Sequence, residues 1–271
     1  MARILLYFSL FTLIFACNNS ENNPVTADIN ENVIKAPTQL QYEVIKVHPH
    51  DTSAYTQGLE WHGALLFEST GNYGKSILHK MDANMQSIGK KVKLHNEVFG
   101  EGITIFNEKI YQLTWKEYKV FVYNANTLQK EKEFDWQYEG WGITHNDTSL
   151  IVSTGGSNIY MVDPNNFSIK KTIGVYNNFG YVSDINELEY VDGKIFANIY
   201  GQNDIVVIDP NSGQITNTIN FSNLLAQAGV KYDPRTIDPG YVLNGIAHQP
   251  SSKTYFVTGK CWPVIVEIKI K

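Results

Sequence analysis

Five residues at equivalent positions of a repeated pattern are the first candidates for chemistry in this chain. The pattern is a triplet that occurs as Gln57-Gly58-Leu59, Glu101-Gly102-Ile103, Trp141-Gly142-Ile143, Asn186-Glu187-Leu188 and Asn244-Gly245-Ile246. If each triplet opens the same kind of unit, the first residues form a ring of three amides, one acid and one indole around a common axis. One carboxylate among hydrogen-bonding amides suits general acid–base chemistry. We therefore interpret this ring as the floor of an active site.

The spacing of the ring residues indicates the architecture that positions them. They are 44, 40, 45 and 58 residues apart, and a period of about 40–45 residues with four strands per unit is typical of a propeller blade. Each triplet begins an inner strand, a turn leads to a second strand, and third and fourth strands follow. The strongest turn signal is Asp192-Gly193, because both positions tolerate a positive φ.

The two ends of the chain are predicted to close the ring. The fifth unit has no fourth strand because the sequence stops at Lys271, whereas residues 41–47 form an orphan strand before the first unit. The simplest account is that this N-terminal strand supplies the outer strand of blade five, which hides strand edges that would otherwise invite aggregation. The predicted fold class is all-β, a five-bladed β-propeller over residues 41–271.

The long last interval contains an insertion over residues 222–240. We expect Ser222 to cap a short helix over residues 223–228, because a serine hydroxyl accepts hydrogen bonds from the first turn. Pro234 and Pro239 are expected to stop that helix.

The first 40 residues are predicted to lie outside the propeller. Arg3 and the apolar run that follows resemble a signal peptide too short to span a membrane as a mature helix. The run ends in Ile14-Phe15-Ala16-Cys17, which resembles a bacterial lipobox; ordinary signal peptidase cleavage is the alternative, since Phe15 is unusual there. We expect residues 1–17 to be a signal peptide with a lipobox, cleaved so that a lipidated Cys17 becomes the mature N-terminus. Residues 18–40 are expected to be a flexible, Asn-rich tether. The protein is then exported to the cell envelope, periplasm or cell surface, and meets the membrane only through its lipid anchor.

Composition narrows the classes of partner and cofactor. The chain is 43% hydrophobic and 18% charged, as in an ordinary soluble globular body. The net charge is -5 with the basic residues scattered, so nucleic acid is not an expected partner. The seven histidines and two cysteines lack zinc-ligand spacing, so no cofactor is predicted, although a structural cation in the axial channel stays open. A closed propeller needs no second copy to cover its edges, so we expect a monomer.

Walls for the site are predicted at the ends of the second strands, which return to the same face. Fourteen positions beyond the ring residues lie Gly71, Trp115, Gly155, Tyr200 and Thr258. Tyr55 and Phe99, each two positions before a ring residue, add aromatic surface, although an aromatic in a strand is usually part of the core. A concave apolar wall with a few converging polar groups is what a small-ligand site requires.

Glu101 needs an explanation, because a carboxylate at the crowded axial end of an inner strand is costly unless it is paired or functional. Lys260, two positions beyond Thr258, is expected to pair with it. A purely structural ion pair is the alternative to a catalytic one.

Motifs in every blade resemble those of the plant- and bacterial-type glutaminyl-peptide cyclotransferases, the glutamine cyclotransferase family. They are Tyr55-Thr56-Gln57-Gly58-Leu59, Phe99-Gly100-Glu101-Gly102-Ile103-Thr104, Leu113-Thr114-Trp115, Gly140-Trp141-Gly142, Ile185-Asn186-Glu187-Leu188-Glu189, Val242-Leu243-Asn244-Gly245-Ile246-Ala247 and Thr258-Gly259-Lys260-Cys261-Trp262-Pro263. The resemblance runs from about Tyr42 to the C-terminus. It implies a five-bladed propeller that converts N-terminal glutamine of peptides or proteins to pyroglutamate with release of ammonia, without the catalytic zinc of the animal-type enzyme.

The resemblance also implies site residues. The catalytic set is Glu101, Asn186 and Lys260, and the substrate-binding set is Tyr55, Gln57, Phe99, Trp115, Trp141, Tyr200 and Asn244. Tyr55 stands where the family commonly has Phe, and Tyr200 where it commonly has Trp. We expect Glu101 to take the proton of the α-amine and deliver it to the departing nitrogen. Asn186 or Lys260 would stabilise the developing oxyanion.

Two other classes of function compete with this hypothesis. One is a non-catalytic propeller that binds peptide or protein across its funnel, for which Glu101 and Lys260 would not be needed. The other is a propeller hydrolase or lactonase, which usually depends on a carboxylate-rich metal centre, whereas the predicted ring offers one acid.

Overall fold

The computed structural model describes residues 33–271, which form short strands joined by turns. The predicted signal peptide, Cys17 and most of the predicted tether lie outside these residues. Two strands precede the blades, β1 (Thr38–Leu40) and β2 (Tyr42–Pro49). The strands that follow form five blades around an axis and one additional two-stranded hairpin.

The first three blades follow the chain in order. Blade one consists of β3 (Thr56–His62), β4 (Leu65–Thr70), β5 (Ile77–Met81) and β6 (Ser87–Lys93). Blade two consists of β7 (Gly100–Phe106), β8 (Lys109–Thr114), β9 (Lys119–Asn124) and β10 (Lys130–Asp135). Blade three consists of β11 (Ile143–His145), β12 (Leu150–Ser153), β13 (Asn158–Val162) and β14 (Ile169–Gly174).

The last two blades are separated by the insertion. A small hairpin of β15 (Tyr176–Asn177) and β16 (Gly180–Tyr181) precedes blade four. Blade four consists of β17 (Ile185–Val191), β18 (Lys194–Ile199), β19 (Asp204–Ile208) and β20 (Ile215–Asn220). The insertion contains α1 (Leu224–Gln227) and a 3-10 helix (Pro234–Thr236), and blade five consists of β21 (Leu243–Gln249), β22 (Thr254–Gly259) and β23 (Val264–Ile270).

The N-terminal strand β2 completes blade five. It pairs antiparallel with β23 along its whole length, from Tyr42 opposite Ile270 to Pro49 opposite Val264. The outermost strand of the last blade therefore comes from the start of the propeller sequence, and main-chain hydrogen bonds between the two ends close the ring. The predicted all-β, five-bladed propeller with this closure is confirmed.

A second N-terminal strand was not predicted. β1 pairs in parallel with β20, with Thr38 opposite Asn217 and Leu40 opposite Ile219, so blade four has five strands. The predicted tether boundary at residue 40 is therefore too late, because residues 38–40 belong to a sheet. Together, β1 and β2 attach the N-terminal segment to two neighbouring blades.

Glycines in the triplets allow the inner strands to converge on the axis. A Cβ at Gly102 would lie 2.7 Å from the carbonyl oxygen of Trp141, and a Cβ at Gly58 or Gly142 would overlap the backbone of the next inner strand. Side chains are therefore excluded at these positions by the neighbouring main chain. In the first three blades the triplet thus combines a first residue that lines the pocket with a glycine that permits blade-to-blade contact.

The core lies between the blades. Five separate clusters of buried apolar side chains occupy the five blade interfaces. For example, Leu59 of blade one packs with Phe256 and Ile265 of blade five. Inner strands are buried on both faces, whereas outer strands such as β10 alternate between exposed and half-buried residues. This burial pattern fixes the register of each blade.

The insertion differs from its prediction in the way the helix begins and ends. The N-cap of α1 is Asn223 rather than Ser222, and no side-chain capping bond is made there. The chain leaves the helix at Gly229, whose φ of +77° is favourable for glycine, well before either proline. Pro234 instead begins the 3-10 helix, where the Asp233 side chain accepts from the Arg235 N–H. No helix within residues 33–271 has both the length and the apolar character needed to cross a lipid bilayer.

Candidate active site

Nine of the ten predicted pocket residues lie around one cavity at the axial end where the inner strands begin. The cavity has a volume of about 340 Å³ and is lined by Tyr55, Gln57, Phe99, Glu101, Trp115, Trp141, Asn186, Tyr200 and Lys260. The tenth, Asn244, is fully buried beside the floor and donates from Nδ2 to the Thr56 carbonyl at 3.0 Å. The structure therefore brings the whole predicted set together, because equivalent positions of the repeat meet at the axis.

A hydrogen-bonded chain runs across the floor of the cavity. Gln57 Oε1 accepts from the ammonium of Lys260 and, at 3.3 Å, from Asn244 Nδ2. Gln57 Nε2 donates to Glu101 Oε1 at 3.1 Å. The direct ion pair expected between Glu101 and Lys260 is wrong, since Gln57 stands between them and no ion pair within residues 33–271 joins the two. The glutamine amide fits this position because it accepts at one end and donates at the other.

Burial shifts the pKa values of both ionisable groups of the floor in the direction that favours their uncharged forms. Burial raises the pKa of Glu101 well above its ordinary value, opposed by the charge of Lys260 and reinforced by Glu117 and Glu139. Burial also lowers the pKa of Lys260 to about 8, against the pull of Glu101. A carboxyl group with a raised pKa beside an amine with a lowered pKa is a combination typical of sites that transfer protons.

Aromatic rings form the walls. Phe99 lies 5.4 Å from Trp115 and 6.2 Å from Tyr55, and Trp141 lies 5.7 Å from Tyr200, measured between ring centroids. The ammonium of Lys260 is 4.6 Å from the centre of the Tyr55 ring, so that wall also stabilises the buried cation.

Two predicted wall positions that carry glycine make room for these rings. A Cβ at Gly155 would lie 2.6 Å from the Trp141 ring, and a Cβ at Gly71 would overlap the Phe99 ring. Thr258, in contrast, does not line the cavity; its hydroxyl donates to the Val264 carbonyl at 2.8 Å. Of the five positions at the ends of the second strands, two thus carry aromatic walls, two are glycines that leave room for aromatic rings, and Thr258 has a structural hydroxyl.

Asn186 lines the cavity, and its side-chain oxygen is buried without a hydrogen-bond partner among the described residues. The residue is 2% exposed, and no group within residues 33–271 donates to its Oδ1. Its main-chain carbonyl accepts from Ser153 Oγ at 2.6 Å, which fixes the backbone at this point. Because buried polar groups normally have partners, this unsatisfied acceptor is a candidate for a hydrogen bond from a bound ligand.

Three carboxylates that were not singled out from the sequence lie further along the axis. Glu187 accepts from the Leu59 and Ile246 N–H groups at 3.2 and 2.9 Å, which joins three blades across the axis. Glu60 accepts from the Ile105 N–H at 3.0 Å, and Glu189 accepts from the His248 N–H at 2.8 Å. Burial raises the pKa of Glu60 to about 8 and raises those of the other two as well. These contacts indicate a structural role in holding the inner strands together.

The available sequence signal for these acids was their position. Glu187 occupies the second place of a triplet, where the first three triplets have the glycine that allows close contact. Within residues 33–271, no group of three or more His, Cys, Asp or Glu side chains is arranged to hold a metal ion.

Glu139, at the rim, was also missed. Its Oε2 accepts from the indole N–H of Trp115 at 2.8 Å and from that of Trp141 at 3.2 Å. It lies outside the periodic positions of the repeat, so the spacing argument does not reach it.

The fold and the pocket together define a class: a five-bladed propeller enzyme with one buried acid in an aromatic cavity at the axis. Comparisons with known proteins agree. A model of the glutamine cyclotransferase family matches residues 12–270. A glutaminyl-peptide cyclotransferase from Arabidopsis thaliana is 37% identical over 233 residues, covering 85% of this chain and 72% of the relative. The crystal structure of Myxococcus xanthus glutaminyl cyclase superposes with a TM-score of 0.79 at 33% identity, covering 87% of this chain and 98% of that one.

The chain belongs to the glutamine cyclotransferase family. The family resemblance inferred from the motifs is therefore confirmed, as is the prediction that the chain is an enzyme of the glutaminyl-peptide cyclotransferase class.

Proposed function

We propose that this protein cyclises the N-terminal glutamine of peptides or proteins to pyroglutamate and releases ammonia, with Glu101 as the proton carrier and without a catalytic metal. The observation that carries the proposal is Glu101 itself, a buried carboxyl with a raised pKa at the end of the Gln57–Lys260 chain. The names of the Arabidopsis and Myxococcus relatives support the same reaction.

The first step is activation of the α-amine. The substrate arrives as an ammonium ion, and ionised Glu101 removes one proton so that the nitrogen lone pair becomes available. A carboxylate with a raised pKa is a stronger base than an ordinary one, so the free-energy cost of this proton transfer is smaller. Asn186 Oδ1, which has no donor among the described residues, accepts a remaining N–H of the same nitrogen.

Ring closure follows within one residue. The α-nitrogen forms a bond to the γ-amide carbon, and the carbonyl oxygen takes up negative charge. Lys260 keeps two N–H donors beyond the one given to Gln57, and one of these stabilises the oxyanion. The aromatic walls hold the glutamine side chain folded, which converts the attack into a positioned intramolecular step.

Departure of ammonia completes the reaction. The bond between carbon and the amide nitrogen breaks as Glu101 gives its proton to that nitrogen. A second proton passes from the α-nitrogen through Glu101 in the same way, so that two protons move in total and the products are the lactam and an ammonium ion. Glu101 ends ionised, ready for the next substrate.

Glu101→Gln is the direct test. We expect ammonia release from a Gln-initiated dipeptide to fall by about 10²–10⁴, the usual contribution of general acid–base catalysis. Because the replacement is nearly isosteric, the thermal midpoint of unfolding should stay close to that of the wild type. Retention of full activity would remove Glu101 from the mechanism.

The pH dependence of kcat/KM provides a second measurement. Turnover should rise through the raised pKa of Glu101, since the ionised carboxylate is the base, and should decline above about pH 8, where Lys260 loses its proton. A profile that keeps rising beyond pH 9 would contradict the role given to Lys260.

We further propose that the protein is a monomer, a proposal supported by β2, which covers the edge of β23 and so closes the ring within one chain. We also propose that lipid on Cys17 holds the protein in the cell envelope. The sequence pattern ending at Cys17 supports the anchor. Labelling of cells with a radioactive fatty acid should mark the wild-type chain and leave Cys17→Ala unlabelled. Equal labelling of both would refute the anchor.

A further inference from the structure

Glu139 joins two walls of the pocket that belong to different blades. Trp115 follows the second strand of blade two, Trp141 precedes the inner strand of blade three, and one oxygen of Glu139 accepts from both indoles, at 2.8 and 3.2 Å. The Gly140 N–H donates to the Trp115 carbonyl at 3.3 Å, so the two main chains are joined at this point. Glu139 adds a polar contact between the two rings themselves, which fixes their orientation relative to each other.

The surroundings of Glu139 hold it in place. Its second oxygen lies 3.9 Å from the ammonium of Lys116, and that ammonium lies 4.0 Å from the centre of the Trp115 ring. The Glu139 side chain is 34% exposed, so it stands at the rim and does not touch the floor groups. Cation, ring and carboxylate form one unit around Trp115.

The two indole N–H groups are consequently unavailable to a ligand. Both are directed at Glu139, so the two tryptophans present ring surface to the cavity. A flat apolar surface suits the methylene stem of a glutamine side chain and excludes water from it.

We propose that Glu139 is a positioning residue for cyclisation, which holds Trp115 and Trp141 as an aromatic clamp on the glutamine stem. The inference rests on the proposed function, and it assigns to the clamp the binding of the substrate in its folded, reactive shape. Glu139 acts through the two indoles and takes no proton in the reaction.

Three variants separate this role from a simple effect of charge. Glu139→Ala removes both indole contacts, whereas Glu139→Gln keeps a carbonyl acceptor at the same place without the charge. Glu117→Gln is the matched control, because the charge of Glu117 also raises the pKa of Glu101 but its carboxylate accepts from the Phe99 main chain, not from an indole.

We expect Glu139→Ala to raise KM for a Gln-initiated dipeptide about tenfold, the loss expected for a hydrogen bond to a charged group. Glu139→Gln should restore KM to within about twofold of wild type, and Glu117→Gln should leave it there. Both Gln variants should move the acidic limb of the kcat/KM profile to lower pH, since each removes a negative charge that raises the pKa of Glu101.

Tryptophan fluorescence tests the clamp without using activity. The chain has five tryptophans, of which Trp61, Trp136 and Trp262 are buried while Trp115 and Trp141 are half-buried. Acrylamide quenching therefore reports mainly on the clamp, and it should increase in Glu139→Ala but not in Glu117→Gln. Wild-type KM together with unchanged quenching in Glu139→Ala would overturn the proposal. A wild-type protein that releases no ammonia would overturn the proposed function instead, and quenching would still decide the clamp.

Discussion

Replacing Lys260 with Met should stabilise the fold at neutral pH while it abolishes turnover. Lys260 is 2% exposed, and burial lowers its pKa from 10.5 to about 8. At about 1.4 kcal/mol per pH unit, keeping this lysine protonated inside the protein costs on the order of 3 kcal/mol. Methionine has a similar shape and no charge, so the variant avoids that cost.

The partners of Lys260 do not offset this gain. Gln57 Oε1 still accepts from Asn244 Nδ2 at 3.3 Å when the ammonium is gone, so no acceptor is orphaned. Loss of the lysine charge raises the pKa of Glu101 further, which favours the neutral acid and leaves no unpaired buried charge. We therefore expect Lys260→Met to raise the free energy of unfolding at pH 7 by about 1–3 kcal/mol.

The effect has a defined pH dependence. Below about pH 8, Lys260 is protonated in both the folded and the unfolded state, and the full cost of burying its charge lowers the free energy of unfolding. Between about pH 8 and 10.5 the folded state has released the proton while the unfolded state still binds it. The free energy of unfolding of the wild type therefore rises with pH in this window. The advantage of Lys260→Met over wild type should shrink in the same window.

Urea denaturation of residues 34–271 at pH 7, 9 and 10 measures this difference. Lys46→Met serves as the matched control, because Lys46 is exposed and its replacement should give no pH-dependent difference. Groups that do not interact with Lys260 titrate alike in both proteins and cancel in the comparison. The higher pKa of Glu101 in Lys260→Met does not cancel, but it also reduces the advantage of the variant as the pH rises. A Lys260→Met protein that is less stable than wild type at pH 7, or whose difference from wild type does not change with pH, would refute the reasoning.

Three further perturbations test the wall, its clearance and the closure of the ring. Trp115→Ala should raise KM for a Gln-initiated dipeptide, because the ring lines the pocket, and should change the thermal midpoint of unfolding little, because the ring is only half-buried. An unaltered KM would count against the place of Trp115 in the wall. Gly155→Ala should lower the free energy of unfolding by about 1–2 kcal/mol and should also lower kcat/KM, because φ is +76° and the new methyl group would lie 2.6 Å from the Trp141 ring. A urea midpoint and kinetics equal to those of the wild type would argue against that strain. Deletion of the chain through Pro49 should abolish cooperative unfolding, measured by circular dichroism, because it uncovers the edge of β23; a sharp transition would show that the ring closes without β2.

Much of the fold was predictable because its determinants are local and repeated. The triplets recur at a blade-like period, and turn residues such as Asp192 and Gly193 adopt the positive φ that their sequence indicates. The orphan strand was predicted from a count of strands in each unit. β1 was not, because residues 38–40 resemble the segment before them and pair only where a blade offers a free edge.

The pocket was predictable for a related reason, since equivalent positions of a closed repeat must meet at the axis. The hydrogen bonds between the side chains of the pocket were not predictable in this way. The sequence suggested a direct contact between Glu101 and Lys260, and the structure places the Gln57 amide between them, a matter of side-chain reach rather than of spacing. Glu139 was missed because it belongs to a connecting segment, where periodicity carries no information.

The most direct test of the central claim is ammonia release from a Gln-initiated dipeptide by residues 34–271, measured with and without a chelator. The proposed mechanism predicts turnover that is equal in both conditions, with Glu101→Gln as the inactive control. Turnover that is lost on chelation would contradict proton transfer without a metal. A folded protein that releases no ammonia from several Gln-initiated peptides would contradict the cyclase and favour a propeller that only binds its peptide.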